Sequence, residues 1–578
     1  MAAKRARTPV VSPKPAPQKP LSASPRWLKP TMLALTATVL MAWFSAASGS
    51  NDVFWHLKSG QYIVQHHALP VPDPFAFTTY LGTPSRSGEE ITRRFNLVHE
   101  WLAQVIGYLV YAVAGFPGLV LLRAALVSFA CGMVGLVAYH RSKRFYLALG
   151  ATFAAASIVR GYAVDRPYLA TLVMVAVTIA ILEYRRGLWL LPPLFLIWAN
   201  CHAGFFMGWV LLGIYCAEAL FERWRGRPQA EERRLWIVAA VAILASGLNP
   251  NGFRVIETLF YYRSSPMLSS LGEWRPARLW PLDRFVALVF LAGAALVYAR
   301  GKARVADWLL FVIFTVACLN AVRNVMLMAL VGPILIAGNF PWKKLALPAA
   351  ADYAVAALIV AGGAFSIAQG KTFQLYAMEE VRPAGAVSFL QEHHITAPMF
   401  NTFEHGGYLI WKLWPQERVF IDGRALNETV YQDNMKIAYN SAEAQRLLDQ
   451  YGIQVIVIDG FEYHTGSPHL LMAALADPRQ TKWKLVYQDT TAVVFMREPP
   501  PGTAALDSRL ALSSMEAQCT EHIRLVPDQP FCARSLGQLF SQNDPARARK
   551  WMAFYLANQA EPDPQAERVY GQMLAAGK

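Results

Sequence analysis

Charge is scarce in this chain, and negative charge is scarcest. Of 578 residues only 39 are Asp or Glu against 54 Lys or Arg, and charged residues of both signs make up 16%. Soluble domains carry about a quarter charged residues, so that class is excluded. Six cysteines show no metal-site spacing. Cys131, Cys201, Cys216 and Cys318 lie in apolar runs and read as small packing residues. Cys519 and Cys532 lie in the polar C-terminal part, free or bonded according to whether that part leaves the cytoplasm. There is no P-loop and no Gly-rich dinucleotide fingerprint, so nucleotide chemistry has no visible seat. No internal repeat is clear.

What is present is apolar sequence, 54% of the chain, with a mean hydropathy of +0.26. It comes in runs of roughly 14–23 residues bounded by Arg and Lys clusters, the pattern of membrane helices. The net charge of +15 sits mainly in an N-terminal tail and in short loops, where cytoplasmic retention explains it and nucleic acid is not needed. Residues 1–30 read as a disordered basic cytoplasmic tail. Spans are expected at 31–48, 117–139, 144–159, 167–184, 188–201, 203–221, 235–249, 285–299, 306–321, 323–340 and 345–367. Every second loop carries Arg or Lys (141–144, 185–186, 222–227, 300–304 and Lys343-Lys344), which the positive-inside rule places in the cytoplasm. That gives about eleven spans over 31–370. The first outer loop, 49–115, is expected to hold amphipathic helices at 52–66 and 99–114, although 100–115 is apolar enough to span.

Residues 371–500 change character. Helices are expected at 384–393 and 441–451, and strands at 419–422, 453–459, 483–487 and 492–496, forming a small extracytoplasmic α/β domain. Residues 501–578 read as a helical tail, with paired helices of the tetratricopeptide kind but without the full repeat signature.

Polar residues near span ends gather on the outward side. Asp52, His56, Asp73, His99 and Glu100 belong to the first outer loop, with Arg160, Asp165 and Arg166 between the third and fourth spans. Asn200 and His202 lie in a tight hairpin, Glu273 and Arg275 in a long loop, and Arg323 in a short one. Ionisable groups at a membrane boundary either set depth or mark a site. Their gathering on one side favours a site. A sugar on a lipid phosphate already has a good leaving group. Arg suits the departing phosphate because its planar fork pairs bidentately, and one carboxylate can take the proton of the attacking hydroxyl.

Several motifs together resemble a set of bacterial membrane proteins grouped with the C-type (GT-C) integral-membrane glycosyltransferases. They are Asp52-x-x-Trp55-His56-Leu57, Pro70-x-x-Asp73-Pro74-Phe75, His99-Glu100-Trp101-Leu102, Arg166-Pro167 and Trp198-x-Asn200-x-His202-x-Gly204. Asn249-Pro250, Glu273-Trp274, Arg323-Asn324, Asn401-x-x-Glu404-x-Gly406-Gly407-Tyr408 and Phe420-Ile421-Asp422-Gly423-Arg424 continue the match. The resemblance implies a polytopic helical fold with an outer domain, and inverting sugar transfer from a polyprenyl-phosphate donor to a lipid, glycan or protein acceptor in the envelope. It places the chain in a bacterial inner membrane. Asp52 would match the acid of the first outer loop. Protein mannosyltransferases and oligosaccharyltransferases share this plan. The aromatic pair of the oligosaccharyltransferase acceptor motif is missing here, and a divalent cation is left open, with no metal ligands assigned.

The individual residues keep two readings each. Asp52 is catalytic or an N-cap. Asp73 is a turn former or a second acid, and Glu100 caps its helix or orients His56. Arg166 and Arg323 are the preferred phosphate partners, with Arg160 and His202 behind them. Glu404, Asp422 and Arg424 belong to an acceptor lid, the last two alternatively to an ion-paired turn. A transporter or flippase and a non-catalytic envelope scaffold are the competing functions. The first would show repeats and mid-membrane charges.

Overall fold

The computed structural model describes residues 25–576 except 229, 300, 341–348, 464, 542 and 560. Most of the basic tail, Arg300 and the Lys343-Lys344 loop therefore lie outside the described residues. A helix stands at each expected span: Leu28–Phe44, the second part of Trp101–Ser142, Phe145–Val159, Tyr168–Tyr184, Leu191–Cys201, Phe206–Trp224, Glu232–Ser246, Arg284–Tyr298, Val305–Asn320, Val325–Asn339 and Ala349–Ala368. Among the described residues, four helical stretches are long and apolar enough to cross a membrane by themselves: Glu89–Ser142, Ala203–Trp224, Val322–Asn339 and Ala349–Ala368. Five further apolar helices are shorter. Val127, Leu172, Trp198, Tyr215 and Leu330 pack into one core inside the bundle, while Phe129, Leu244, Phe290, Leu358 and Phe365 face outward and exposed. Large apolar side chains on both sides of the same helices are what a bundle surrounded by lipid requires.

Helix Trp101–Ser142 is two segments. Gly115 breaks it with φ 59° and ψ −155°, a conformation open to glycine, and Pro117 starts the second segment. The first loop also holds a helix that the sequence reading lacked, Glu89–Val98.

The α/β domain has a four-stranded sheet in the order Met399–Asn401, Val455–Ile458, Val493–Met496, Lys484–Gln488. The first pair is parallel and the others are antiparallel. The sheet is covered on both faces, and the alternation along each strand divides its side chains between them. Ile456, Ile458, Val493 and Phe495 join the core formed with tail residues Met515, Cys519 and Leu536. Val455, Val457, Val494 and Met496 join a core with Phe54, Trp55, Tyr408 and Leu409. The tail, helices Leu510–Leu525, Phe531–Phe540, Pro545–Asn558 and Pro564–Ala576, is thus one face of the domain. Cys519 and Cys532 form a disulfide inside it, while the four membrane-domain cysteines are free and buried.

The strand expected at 419–422 is absent. Val419 makes a single bridge to Ala76, because the Phe75–Phe77 segment of the first loop takes its backbone groups: Val419 N donates to Phe75 O at 3.0 Å and Phe77 N to Val419 O at 3.2 Å. That pairing fastens the first loop to the α/β domain.

Candidate functional site

Helix Asp52–His66 carries the acid to which the site is referred. Asn51 takes the N-cap position with no side-chain cap, so Asp52 is the first helical residue and its carboxylate is turned elsewhere. Trp55 Nε1 donates to Asp52 Oδ1 at 3.0 Å, and Arg166 Nη2 lies 2.8 Å from Oδ2. Arg166 is set by its neighbour. Asp165 is buried and pairs with Arg123 at 2.5 Å, and Arg123 also donates to Phe44 O at 3.2 Å. Pro167 then ends the loop and opens helix Tyr168–Tyr184.

Arg166 reaches a second carboxylate, with Nη1 3.3 Å from Glu273 Oε2, and Arg323 Nη1 is 3.3 Å from Glu273 Oε1. Arg323 sits in the turn Val322–Asn324 between two spans, its guanidinium 4.9 Å from the centre of the Trp274 ring. Beside this turn is a cavity of about 200 Å³ lined by Tyr162, Trp280, Phe285 and Val325 and by the charged Arg278 and Asp283, among others. Arg160 stands apart from these groups, stacked over Trp43.

The α/β domain closes over Asp52. Helix Gly406–Leu413 packs on Asp52–His66, with Tyr408 edge-on to Phe54 at 5.0 Å, and Asn51 Nδ2 donates to Glu404. The approach is close enough to demand glycine. A Cβ on Gly407 would fall 2.7 Å from Asn51 O, and one on Gly423 would fall 2.4 Å from Asp52 Oδ1. Arg382, which no motif marked, donates to Gly49 O at 2.7 Å. Burial pushes its proton affinity down, against the pull of Glu404 and Asp52. An isolated Arg in a linker has no spacing signal, so only its three-dimensional neighbours identify it.

Asp73, Asp422 and Arg424 form a separate, fully buried lock. Arg424 Nη1 donates to Asp73 Oδ1, and its Nε and Nη2 to the two oxygens of Asp422, all at 2.7 Å. Asp73 also accepts from Thr79 Oγ1 at 2.5 Å and Phe75 N at 3.1 Å. Of its two readings, turn former or second acid, this arrangement matches the turn former. The lock fixes the Asp422–Arg424 turn whose glycine abuts Asp52.

Glu100 gathers three imidazoles. His99 Nε2 is 3.3 Å from Oε1, His202 Nε2 is 3.6 Å from Oε1, and His56 Nδ1 is 3.6 Å from Oε2. His202 Nδ1 accepts from Gly204 N at 3.0 Å, so its Nε2 carries the proton toward Glu100. His99 Nδ1 lies 3.0 Å from the carbonyl of Phe95, which can only accept. His56 lies against Trp55, with ring centres 3.6 Å apart and the planes tilted by 37°. Burial lowers its pKa to about 4 against the pull of Glu100 and Asp52, leaving it neutral near pH 7. Of the predicted residues the structure thus groups Asp52, Arg166, Glu273 and Arg323, with Glu404 at the edge, and groups His56, His99, Glu100 and His202 beside them. Among the described residues no group of three or more His, Cys, Asp or Glu side chains is arranged to hold a metal ion.

The overall arrangement of the chain is similar to that of a solved structure. The archaeal oligosaccharyltransferase AglB from Archaeoglobus fulgidus, in complex with an inhibitory peptide and a dolichol-phosphate, superposes with a TM-score of 0.52. It covers 95% of this chain and 86% of that one at 12% identity. The chain has the GT-C fold. The arabinofuranosyltransferase AftD from Mycobacteria (mutant R1389S) gives a TM-score of 0.49 at 13% identity, over 83% of this chain and 42% of that one. No protein-family model and no curated protein sequence matches the chain. In this chain Asp52 stands on the helix that follows Leu28–Phe44, under the covering domain.

Proposed function

We propose that this membrane protein transfers a sugar, with inversion, from a polyprenyl-phosphate donor to an envelope acceptor. The carrying observation is one carboxylate, Asp52, paired with Arg166, which Glu273 links to Arg323, with both guanidiniums about a third open to solvent, Arg166 at 33% and Arg323 at 29%. Arg166 and Arg323 hold the donor phosphate, charge-assisted and bidentate, and the neighbouring 200 Å³ cavity admits the first isoprene units. The acceptor hydroxyl attacks the anomeric carbon as the bond from that carbon to the phosphate oxygen breaks. The electron pair leaves on the phosphate and the hydroxyl proton passes to Asp52. Arg382 and Glu404 flank the acceptor side.

The orientation belongs to the same reading: a bacterial inner membrane, about eleven spans, the N-terminus in the cytoplasm and the α/β domain outside. It is supported by the alternation of Arg-rich loops and by the Cys519–Cys532 disulfide, which suits an oxidising compartment. Nothing in the step is routed through a divalent cation.

The test is reconstitution into liposomes with a radiolabelled polyprenyl-phosphate-sugar pool and envelope extract. The expected result is label bound covalently to the acceptor. Label that crosses the bilayer without a new glycosidic bond would establish the transporter reading instead.

A further inference from the structure

Arg166 and Arg323 are not waiting bare for a ligand: Glu273 spans them, one oxygen 3.3 Å from each. These contacts are looser than the 2.8 Å between Arg166 and Asp52, and the Glu273 side chain is 41% exposed. Compare Asp307 at the far end of the bundle, fully buried and paired with Arg141 at 2.7 Å. A half-exposed, long ion pair is weak, whereas an Arg–phosphate pair is short and bidentate.

The backbone that presents Glu273 is held on both sides. Upstream, Ser265 Oγ and Met267 N donate to Glu428 of the α/β domain at 2.8 and 2.6 Å. Downstream, Val322 N donates to Arg275 O at 2.7 Å, and Ala277 N to Cys318 O at 3.1 Å. Only the side chain has to move to vacate the seat. Arg323 stays, stacked on Trp274.

The charges also match. Glu273 places one negative charge between the two guanidiniums. A sugar phosphodiester carries the same single negative charge.

We infer that Glu273 is a resident counter-ion occupying the phosphate seat of Arg166 and Arg323, which a prenyl-linked phosphate must displace to bind. This rests on the phosphate-binding reading above. It makes Glu273 a competitor of the donor rather than one of its ligands, and so a residue that sets how tightly the donor is held.

The experiment is calorimetric titration of the full-length detergent-solubilised protein with farnesyl phosphate, using wild type, Glu273→Gln and Arg323→Gln. Inorganic phosphate forms a parallel arm, and monodispersity is checked for each variant. The expected result is a Kd about 3–10-fold lower in Glu273→Gln, since 1.4 kcal/mol is tenfold, and a higher Kd in Arg323→Gln. Inorganic phosphate is expected to bind far more weakly than farnesyl phosphate. Unchanged or weaker binding by Glu273→Gln, with Arg323→Gln still weakened, would overturn the competitor role and leave the phosphate seat standing. Equal binding of inorganic phosphate would overturn the lipid-linked ligand. No binding to any of the three proteins would overturn the seat itself, and the inference with it.

Discussion

Asp52 owes its geometry to neighbours that contribute no chemistry. Gly423 is the sharpest case, because its missing Cβ is what leaves room for Asp52 Oδ1. The turn that carries it cannot yield easily, since Arg424 clamps it to Asp422 and Asp73 in a buried lock. In Gly423→Ala the Cβ would lie 2.4 Å from Oδ1, so the carboxylate has to move. Catalytic groups misplaced by about 1 Å lose on the order of a hundredfold in rate. Gly423→Ala is therefore expected to lower sugar transfer by at least about tenfold while the protein still folds and melts like wild type. Unchanged transfer would mean that the position of Asp52 does not matter. Arg123 and Arg382 work in the same indirect way, and neither was legible. Their partners, Asp165 and Phe44 for one and Gly49 for the other, lie far off in sequence, and pairwise distance in space leaves no spacing in a chain.

Elements were legible where one physical rule governed them. Long apolar runs bounded by Arg and Lys gave a helix at every expected span, and the alternation Val455-Ile456-Val457-Ile458 gave a strand buried on both faces. The failures come where tertiary partners decide. Val419 was read as a strand from its β-branched, apolar surroundings, but the Phe75–Phe77 segment claimed its backbone. Helix Glu89–Val98 was missed because Glu89, Glu90, Arg93 and Arg94 fill its first turns and its few apolar residues divide between two cores, Phe95 in the bundle and Leu97 and Val98 against Leu426. The tail, read as helical, packs on one sheet face, with Gln518 Oε1 accepting from Gly460 N at 2.7 Å. Its disulfide closes a short loop, separation 13, for which chain entropy gives about 3 kcal/mol. Replacing Cys519 and Cys532 by Ser is expected to destabilise the α/β domain by about 3 kcal/mol, read as a lower midpoint in denaturant for that domain. No change would mean that the sheet holds the tail without the bond.

At the scale of the whole molecule, a lipid-facing bundle ends in an acid and a set of guanidiniums, and a covering domain is fastened over them by Ala76–Val419, Asn51–Glu404 and the Arg424 lock. The same overall arrangement superposes on AglB across nearly the full chain. The groups that resemblance pointed to, Asp52, Arg166, Glu273 and Arg323, meet at one end of the bundle although more than 250 residues separate the first from the last. The central claim is that Asp52 takes the acceptor's proton there. The most direct measurement is sugar transfer from a polyprenyl-phosphate-sugar pool by wild type and Asp52→Asn at matched expression, because the amide keeps the shape and removes the base. Loss of transfer by about a hundredfold or more, in the range general-base removal costs, with unaltered folding is the expected result. Transfer by Asp52→Asn at the wild-type rate would contradict it.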